Sequence, residues 1–444
     1  MNAQDEIAQL QQIISNQQRI IEDLVYRLSL YENKKNSKNS SIPPSQDPFG
    51  TNKTTSLREK SGKKVGGQSG HEGSTLEMVE NPDEIIEHSP QYCSVCGEDL
   101  SQIESHFEGR RQLVDIPPIV PIITEHVIYS KQCTCGHCQK SNYPIEVHSP
   151  ICYGTNIKAM AAYLHARQYI PYGRMQEMFT DVFGVNISSG SLVNLMNEFA
   201  KKSEPIYQQI LDKVGQSDVV GGDETGVRIN GKNQWAWTFQ SKLLTYIFVH
   251  TSRGKKAIED IFTGRFSKSV LVHDCWSSYF STDVETHQIC TAHLLRELKY
   301  LDQLYQNPWT NSFTNLIHDA LELKKTLVPS DYLIPIAQRS DLEKRLDNLL
   351  QSPINSKHKK LVTFKERIVK YRDFLFQFLY YQNAPPDNNA SERTIRTFKV
   401  KQKVSGLFRS QEGAQNFAII RSIIDTTIKN KQNVLNALTT IAKC

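Results

Sequence analysis

Three acids stand far apart along the chain, each where a local element ends or begins. Asp223 closes the apolar run of 218–222, Asp274 closes that of 269–273, and Glu392 lies in the first turns of a helix. Gathered in one place, their hard oxygens would suit two divalent cations, Mg²⁺ or Mn²⁺, held about 3.5 to 4 Å apart. That arrangement cleaves phosphodiesters by activating one oxygen and stabilising another. Glu392 is followed by Arg393, Arg396, Lys399, Lys401, Lys403 and Arg409, with no acid before Glu412. Cations in such number would grip a DNA backbone, an interaction weakened by salt. Taken alone, Glu392 reads more simply as the ion-pair partner of Arg396, one helical turn on.

A second chemistry is written in cysteine. Nine cysteines are too few for a disulfide scaffold in 444 residues, and five of them cluster. Cys93-Ser-Val-Cys96 and Cys133-Thr-Cys135-Gly-His-Cys138 form two turns whose soft thiolates suit tetrahedral Zn²⁺. The expected ligands are Cys93, Cys96, Cys135 and Cys138, with Cys133 spare. Four sulfurs leave no open coordination position, so this site is expected to be structural.

The elements that must position the acids follow from the patterning. Asp218 to Gly222 is a short apolar run ending in Asp223; Val227–Asn230 and Trp235–Gln240 flank an Asn-Gly-Lys-Asn turn; Leu244–His250 is a third strand. A helix over Arg253–Phe262 leads to a fourth strand, Ser269–His273. Three strands, a helix and a strand, with an Asp on the first strand and another after the fourth, is the layout of a ribonuclease-H-like core, which sets those carboxylates side by side. From Asp274 to about Tyr380 the chain is expected to be helical, with Leu342, Leu346 and Leu349, and Leu361, Phe364 and Ile368, at helical spacing. Pro385-Pro386 stops it, and Asp387 or Asn388 caps the helix of Glu392.

Upstream, Ile7, Leu10, Ile14, Gln17, Ile21, Leu24, Leu28 and Tyr31 alternate steps of three and four, the seam of a coiled coil with one polar position. Residues 34–73 carry eight Lys and Arg against three acids, which equals the +5 of the whole chain. Such a segment reads as a flexible basic tether. Met175–Phe183, a Gly184 turn and Ser188 ahead of Leu192 outline a helix-turn-helix, an outline shared by many helical hairpins without a DNA role. The division expected is a coiled coil over 1–33, the tether over 34–73, a zinc module over 74–148 and a helical domain over 149–212. The core's first part spans 213–291, a helical insertion 292–384, and the core's completion 385–444. At 39% apolar residues the chain can bury real cores, and no run approaches the roughly 20 apolar residues of a membrane span. It is expected to be soluble, unexported and cytoplasmic.

In this order the motifs resemble the insertion-sequence-66 family of transposases, a branch of the DDE transposases with a ribonuclease-H-like catalytic domain. The resemblance rests on Gly66-Gly-Gln-Ser-Gly-His-Glu-Gly73, the Cys pairs, Tyr153-Gly154, Asp223-Glu-Thr-Gly-Val-Arg228 and Asp274-Cys-Trp-Ser-Ser-Tyr279. It continues through Cys290-Thr-Ala-His293 with Arg296, Asp387-Asn-Asn-Ala-Ser-Glu-Arg393 with Arg396, and Gly406-Leu-Phe408. It implies that Asp223, Asp274 and Glu392 are the catalytic Mg²⁺ ligands, with Asp223 preferred to its neighbour Glu224. It also implies a helical insertion that separates Asp274 from Glu392 by 118 positions. For Cys290 and His293 it leaves two roles open, a second metal pair or packing. The activity implied is nicking of element ends and joining of the freed 3′-hydroxyls to double-stranded target DNA by a homo-oligomer, with accessory proteins of the same element as further partners. The rivals are a related metal-dependent nuclease and a non-catalytic zinc-bearing DNA-binding regulator.

Overall fold

The computed structural model describes residues 3–36, 39–40 and 76–443. Most of the basic tether and the whole 66–73 motif lie outside the described residues. The chain divides into two units, one of residues 50–121 and one of the remainder. In the first, the main chain turns tightly at Cys93–Gly97, where the Gly97 amide donates to the Cys93 carbonyl, and the Gln112 side chain exchanges two hydrogen bonds with the Val79 backbone.

The second unit opens with α1, Ala3–Glu32, whose apolar seam stays exposed from Ile7 to Tyr31. Near its end Tyr26 stacks on Tyr305, ring centroids 5.9 Å apart. A two-stranded hairpin, β1 (Ser130–Gln132) and β2 (Cys138–Lys140), follows. Helices α2 (Thr155–Ala162), α3 (Tyr172–Phe183) and α4 (Ser189–Gly215) come next, with one π-helical turn at Tyr163–Arg167. Gly184 closes α3 in the left-handed conformation, and Ser188 caps α4 by accepting from the Ser191 amide, so the expected turn between two helices is present. α4 buries Leu192, Met196, Phe199, Tyr207 and Leu211, so much of this long helix belongs to the core.

A five-stranded mixed sheet forms the centre, in the order β5-β4-β3-β6-β7. β3 (Val219–Ile229), β4 (Lys232–Gln240) and β5 (Thr245–His250) are an antiparallel meander, its first turn made by Asn230 and Gly231 with positive φ. After α5 (Lys255–Phe262), β6 (Val270–His273) pairs parallel to β3, and β7 (Thr286–Ile289) parallel to β6. β7 corrects the expectation of unbroken helix after Asp274. Its His287 and Gln288 carry no apolar signal, yet both are buried, and Gln288 exchanges hydrogen bonds with the backbone of Leu375 and Phe378. Partners supplied from a distant segment let a polar sequence lie inside.

The insertion comprises α6 (Thr291–Tyr305), α7 (Pro308–Thr326), α8 (Ala337–Gln351) and α9 (Lys359–Lys370), then short 3₁₀ turns. It shares a core of its own with Val270 and Ile289, built on Leu298, Phe313, Leu346, Phe364 and Phe378. The larger core unites α2–α4 with the meander and with α10 (Asn389–Ser405), α11 (Gln411–Lys429) and α12 (Val434–Lys443). α11 also resolves the free edge of β5. Gln415, Ser422 and Thr426, on one helix face, accept hydrogen bonds from the amides of Val249, Ile247 and Thr245. No described helix is long and apolar enough to cross a membrane.

β3 and the start of α10 approach so closely that a Cβ at Gly221 would stand 2.5 Å from Ser391 Oγ and 2.8 Å from Asn388 Oδ1. Gly221→Ala is therefore expected to lower stability in urea titrations by about 1–3 kcal/mol, the usual cost of overpacking. Adding Ser391→Gly should recover part of the loss, and an unshifted Gly221→Ala midpoint would contradict the contact.

Candidate active site

β3 brings Asp223 to the middle of the sheet. Gly221 pairs with Val272 across the parallel β3–β6 ladder, and two more residues in that register set Asp223 opposite Asp274, just beyond the end of β6. Side chains alternate along β3. A Cβ at Gly221 would meet Ser391 and Asn388, whereas one at Gly222 would meet Tyr279 and Phe239. Asp223 thus shares the α10 face with Gly221, and Glu224 takes the opposite face.

Glu392 arrives on that face because the chain before it is tied down on three sides. The Thr291 amide and hydroxyl both donate to the Pro386 carbonyl at 2.9 Å, and the Asn388 amide donates to Cys290 Sγ at 3.2 Å. Asn388 Nδ2 donates to the Gly222 carbonyl at 2.6 Å, and Gln240 Nε2 donates to Ser391 Oγ at 3.0 Å. The start of α10 is therefore fixed to β3, to β4 and to the first residues of α6. Ile395 and Phe398 anchor the rest of the helix in the larger core.

Asp223 and Asp274 feel the charges around them. Burial first, then the charges of Glu224, Asp274 and Glu392, hold the Asp223 carboxyl well above the usual carboxylate range. Burial and Glu224, with a smaller push from Glu392, raise Asp274 to about 7, against the Trp276 amide and Arg253, which favour its ionised form. Glu392 is compensated locally: Arg296 Nη2 lies 3.1 Å from Oε1, Arg396 Nη2 3.1 Å from Oε2, and His293 Nε2 3.5 Å from Oε1. Burial pushes the His293 imidazole down to about 4, so it is neutral near pH 7. Its Nδ1 and Arg296 Nε are buried without a partner.

Among the described residues no group of three or more His, Cys, Asp or Glu side chains is gathered so as to hold a metal ion as it stands. The donor chemistry nevertheless fits a hard divalent cation: the donors are all oxygen, and a doubly charged cation would relieve their mutual repulsion. Both Glu392 oxygens now face arginines, which would have to share or release them.

The basic residues divide. Arg393, Arg396, Lys403 and Arg409 are exposed, while Lys399 is half-buried and donates to the Gly226 carbonyl. Lys401 departs from the expected DNA-facing set. It is 5% exposed, and its Nζ reaches the carbonyls of His165, Tyr169 and Ile170 at 3.2–3.5 Å. Those acceptors belong to the π-helical turn and the residues after it, where carbonyls lack regular helical partners. Lys401 therefore ties α10 to the helical region and leaves no charge for a phosphate.

Among the cysteines, Cys93 lies within hydrogen-bonding reach of Cys96, and Cys133 of Cys135; in both turns these contacts, with nearby backbone amides, lower the first thiol's pKa. Cys133, expected to be the spare, is the one engaged with Cys135. Cys290 is buried at the α6–α10 junction, and His293 and Arg296 face Glu392, so the motif around them surrounds the third acid. Sequence reasoning also passed over Arg253, Trp276 and Tyr279, which converge on Glu224 and the Asp274 loop. The signal was Glu224 itself, a charge on a strand of the core that had to find a partner.

The model of the family described as Transposase IS66 family matches residues 150–416, more than half the chain. A family of unknown function, DUF6444, matches residues 1–77. No curated protein matches. Lys401→Met is expected to lower stability by about 1–3 kcal/mol through orphaned carbonyls, with the salt dependence of DNA binding unchanged. Arg409→Ala should instead lower the slope of log K against log salt by about 0.9 if it neutralises one phosphate. A reduced slope for Lys401→Met would contradict its assignment to the interior.

Proposed function

The chain belongs to the transposase IS66 family, and on that premise we propose that it nicks the ends of an insertion sequence and joins the freed 3′-hydroxyls to target DNA. The observation that carries this reading is the β3–β6 register that sets Asp223 opposite Asp274, with the start of the Glu392 helix tied to β3 through Asn388 and with exposed cations following Glu392. The sheet order, with an antiparallel meander leading into two parallel strands and the acids on neighbouring strands, supports a ribonuclease-H-like core.

Asp223, Asp274 and Glu392 would hold the Mg²⁺ or Mn²⁺. When bound, the metal supplies an activated oxygen nucleophile and charge neutralisation at the leaving oxygen. In the first step water attacks the phosphorus at the element end, and the 3′-oxygen leaves and takes a proton. In the second, that 3′-hydroxyl attacks a target phosphorus in line, displacing the target's 3′-oxygen. Positioning and electrostatics suffice for both steps, so no bond between protein and DNA is required. Arg393, Arg396, Lys403 and Arg409 would hold the backbone beside the acids. Arg296 and His293 fix the Glu392 carboxylate while α10 carries it.

We further propose that α1 pairs with its counterpart in another copy through the exposed seam, that the helical region and the Cys turns help recognise terminal repeats, and that the site of action is cytoplasmic DNA. The soft sulfurs of the two Cys turns suit structural Zn²⁺.

Asp223→Asn, Asp274→Asn and Glu392→Gln are each expected to abolish joining of pre-nicked element ends while leaving end binding intact in gel-shift assays. Hydrolysis without joining by the unaltered protein would identify a nuclease instead, and full activity in the variants would identify a regulator. For the cysteines, elemental analysis of the purified protein should return about one Zn per chain, the content of a four-sulfur site. Cys93→Ser should lower it, and a metal-free wild-type protein would remove the zinc assignment.

A further inference from the structure

Glu224 has no role in the chemistry above, yet its side chain is 2% exposed and both its oxygens are occupied. Oε1 accepts from Arg253 Nε at 3.0 Å and Oε2 from the Tyr279 hydroxyl at 2.6 Å. The Arg253 guanidinium lies against two indoles, 4.1 Å from the Trp276 ring centre and 4.8 Å from that of Trp235. Trp276 in turn donates its amide to Asp274 Oδ1 at 3.0 Å. Tyr279 packs between the His273 and Trp237 rings, centroids 4.7 and 5.9 Å away. From one strand position, then, Glu224 grips the segment after Asp274 twice: at Tyr279 directly, and at Trp276 through the stacked Arg253.

Packing alone does not account for a carboxylate there. Its charge works against ionisation of both neighbouring acids, and an apolar side chain would fill the same space without that cost. A carboxylate can accept from two donors at a fixed angle, which an apolar side chain cannot.

We propose that Glu224 is a positioning residue that sets where Asp274 stands relative to Asp223, and so the affinity of the site for divalent metal. The proposal rests on the metal-binding reading of Asp223 and Asp274, and its test separates the two. Mn²⁺ binding is measured on the full chain by electron paramagnetic resonance, alongside single-turnover cleavage of an element-end duplex at varied Mn²⁺. Glu224→Gln keeps an acceptor for Tyr279 and loses the ion pair; Tyr279→Phe keeps the ring and loses the hydroxyl.

Glu224→Gln is expected to weaken Mn²⁺ binding by roughly ten- to a hundredfold, the usual effect of losing an outer partner of a metal ligand. The Mn²⁺ needed for half-maximal cleavage should rise in parallel, with the saturated rate largely recovered. Tyr279→Phe should shift both in the same direction, and Glu224→Gln with Arg253→Gln should shift them less than the two single effects combined. Asp223→Asn serves as the control and should lose Mn²⁺ binding. Binding lost in Asp223→Asn but unshifted in Glu224→Gln and Tyr279→Phe overturns the proposal alone. No Mn²⁺ binding by the unaltered protein, or binding indifferent to Asp223→Asn, overturns the metal reading and the proposal with it.

Discussion

Two like charges, Asp223 and Asp274, are set opposite one another by the parallel β3–β6 ladder, and that juxtaposition is the constraint to which the surrounding elements answer. Asp223 and Asp274 are each pushed toward the neutral acid by burial and by their neighbours. Glu392 is held in place by two guanidinium groups from different elements. The parallel β3–β6 ladder fixes the first two acids, and the tie points at Pro386, Asn388 and Ser391 fix the third. Hydrogen bonds to neutral groups hold the start of α10, while the Glu392 carboxylate itself is engaged by Arg296 and Arg396.

The acids were legible in the sequence because each stands at a boundary that patterning marks: two apolar runs that end in Asp, and a Pro-Pro stop before a cation-rich helix. The meander, the Gly184 turn and the Ser188 cap were legible for the same reason. β7 was not, because His287 and Gln288 look like surface residues until the insertion supplies their partners. Lys401 was misread from the other side. Charge runs are ordinarily solvated, and Lys401 is buried because carbonyls at and just after the irregular turn at Tyr163–Arg167, more than two hundred positions away, accept from it.

Local sequence also could not reveal which neighbours the acids would share. His293 and Arg296 stand one turn apart at the start of α6, and nothing in their spacing points to Glu392, which reaches them only through tertiary structure. The Glu224, Arg253 and Tyr279 contacts link a strand, the segment after β5 and the one after β6. Contacts of this kind depend on register across strands, which composition does not encode.

One consequence follows from how the larger core is shared along the chain. β3, β4 and β5 are synthesised well before α10, α11 and α12, yet those late helices supply one wall of the same core and satisfy the amides along the β5 edge. A nascent chain halted at the end of the insertion carries two of the acids but lacks the third, and it exposes an unpaired strand edge to the ribosome's surroundings. The cover of the β5 edge and the arrival of Glu392 thus wait for the same final segment of the chain, so truncated products lack both.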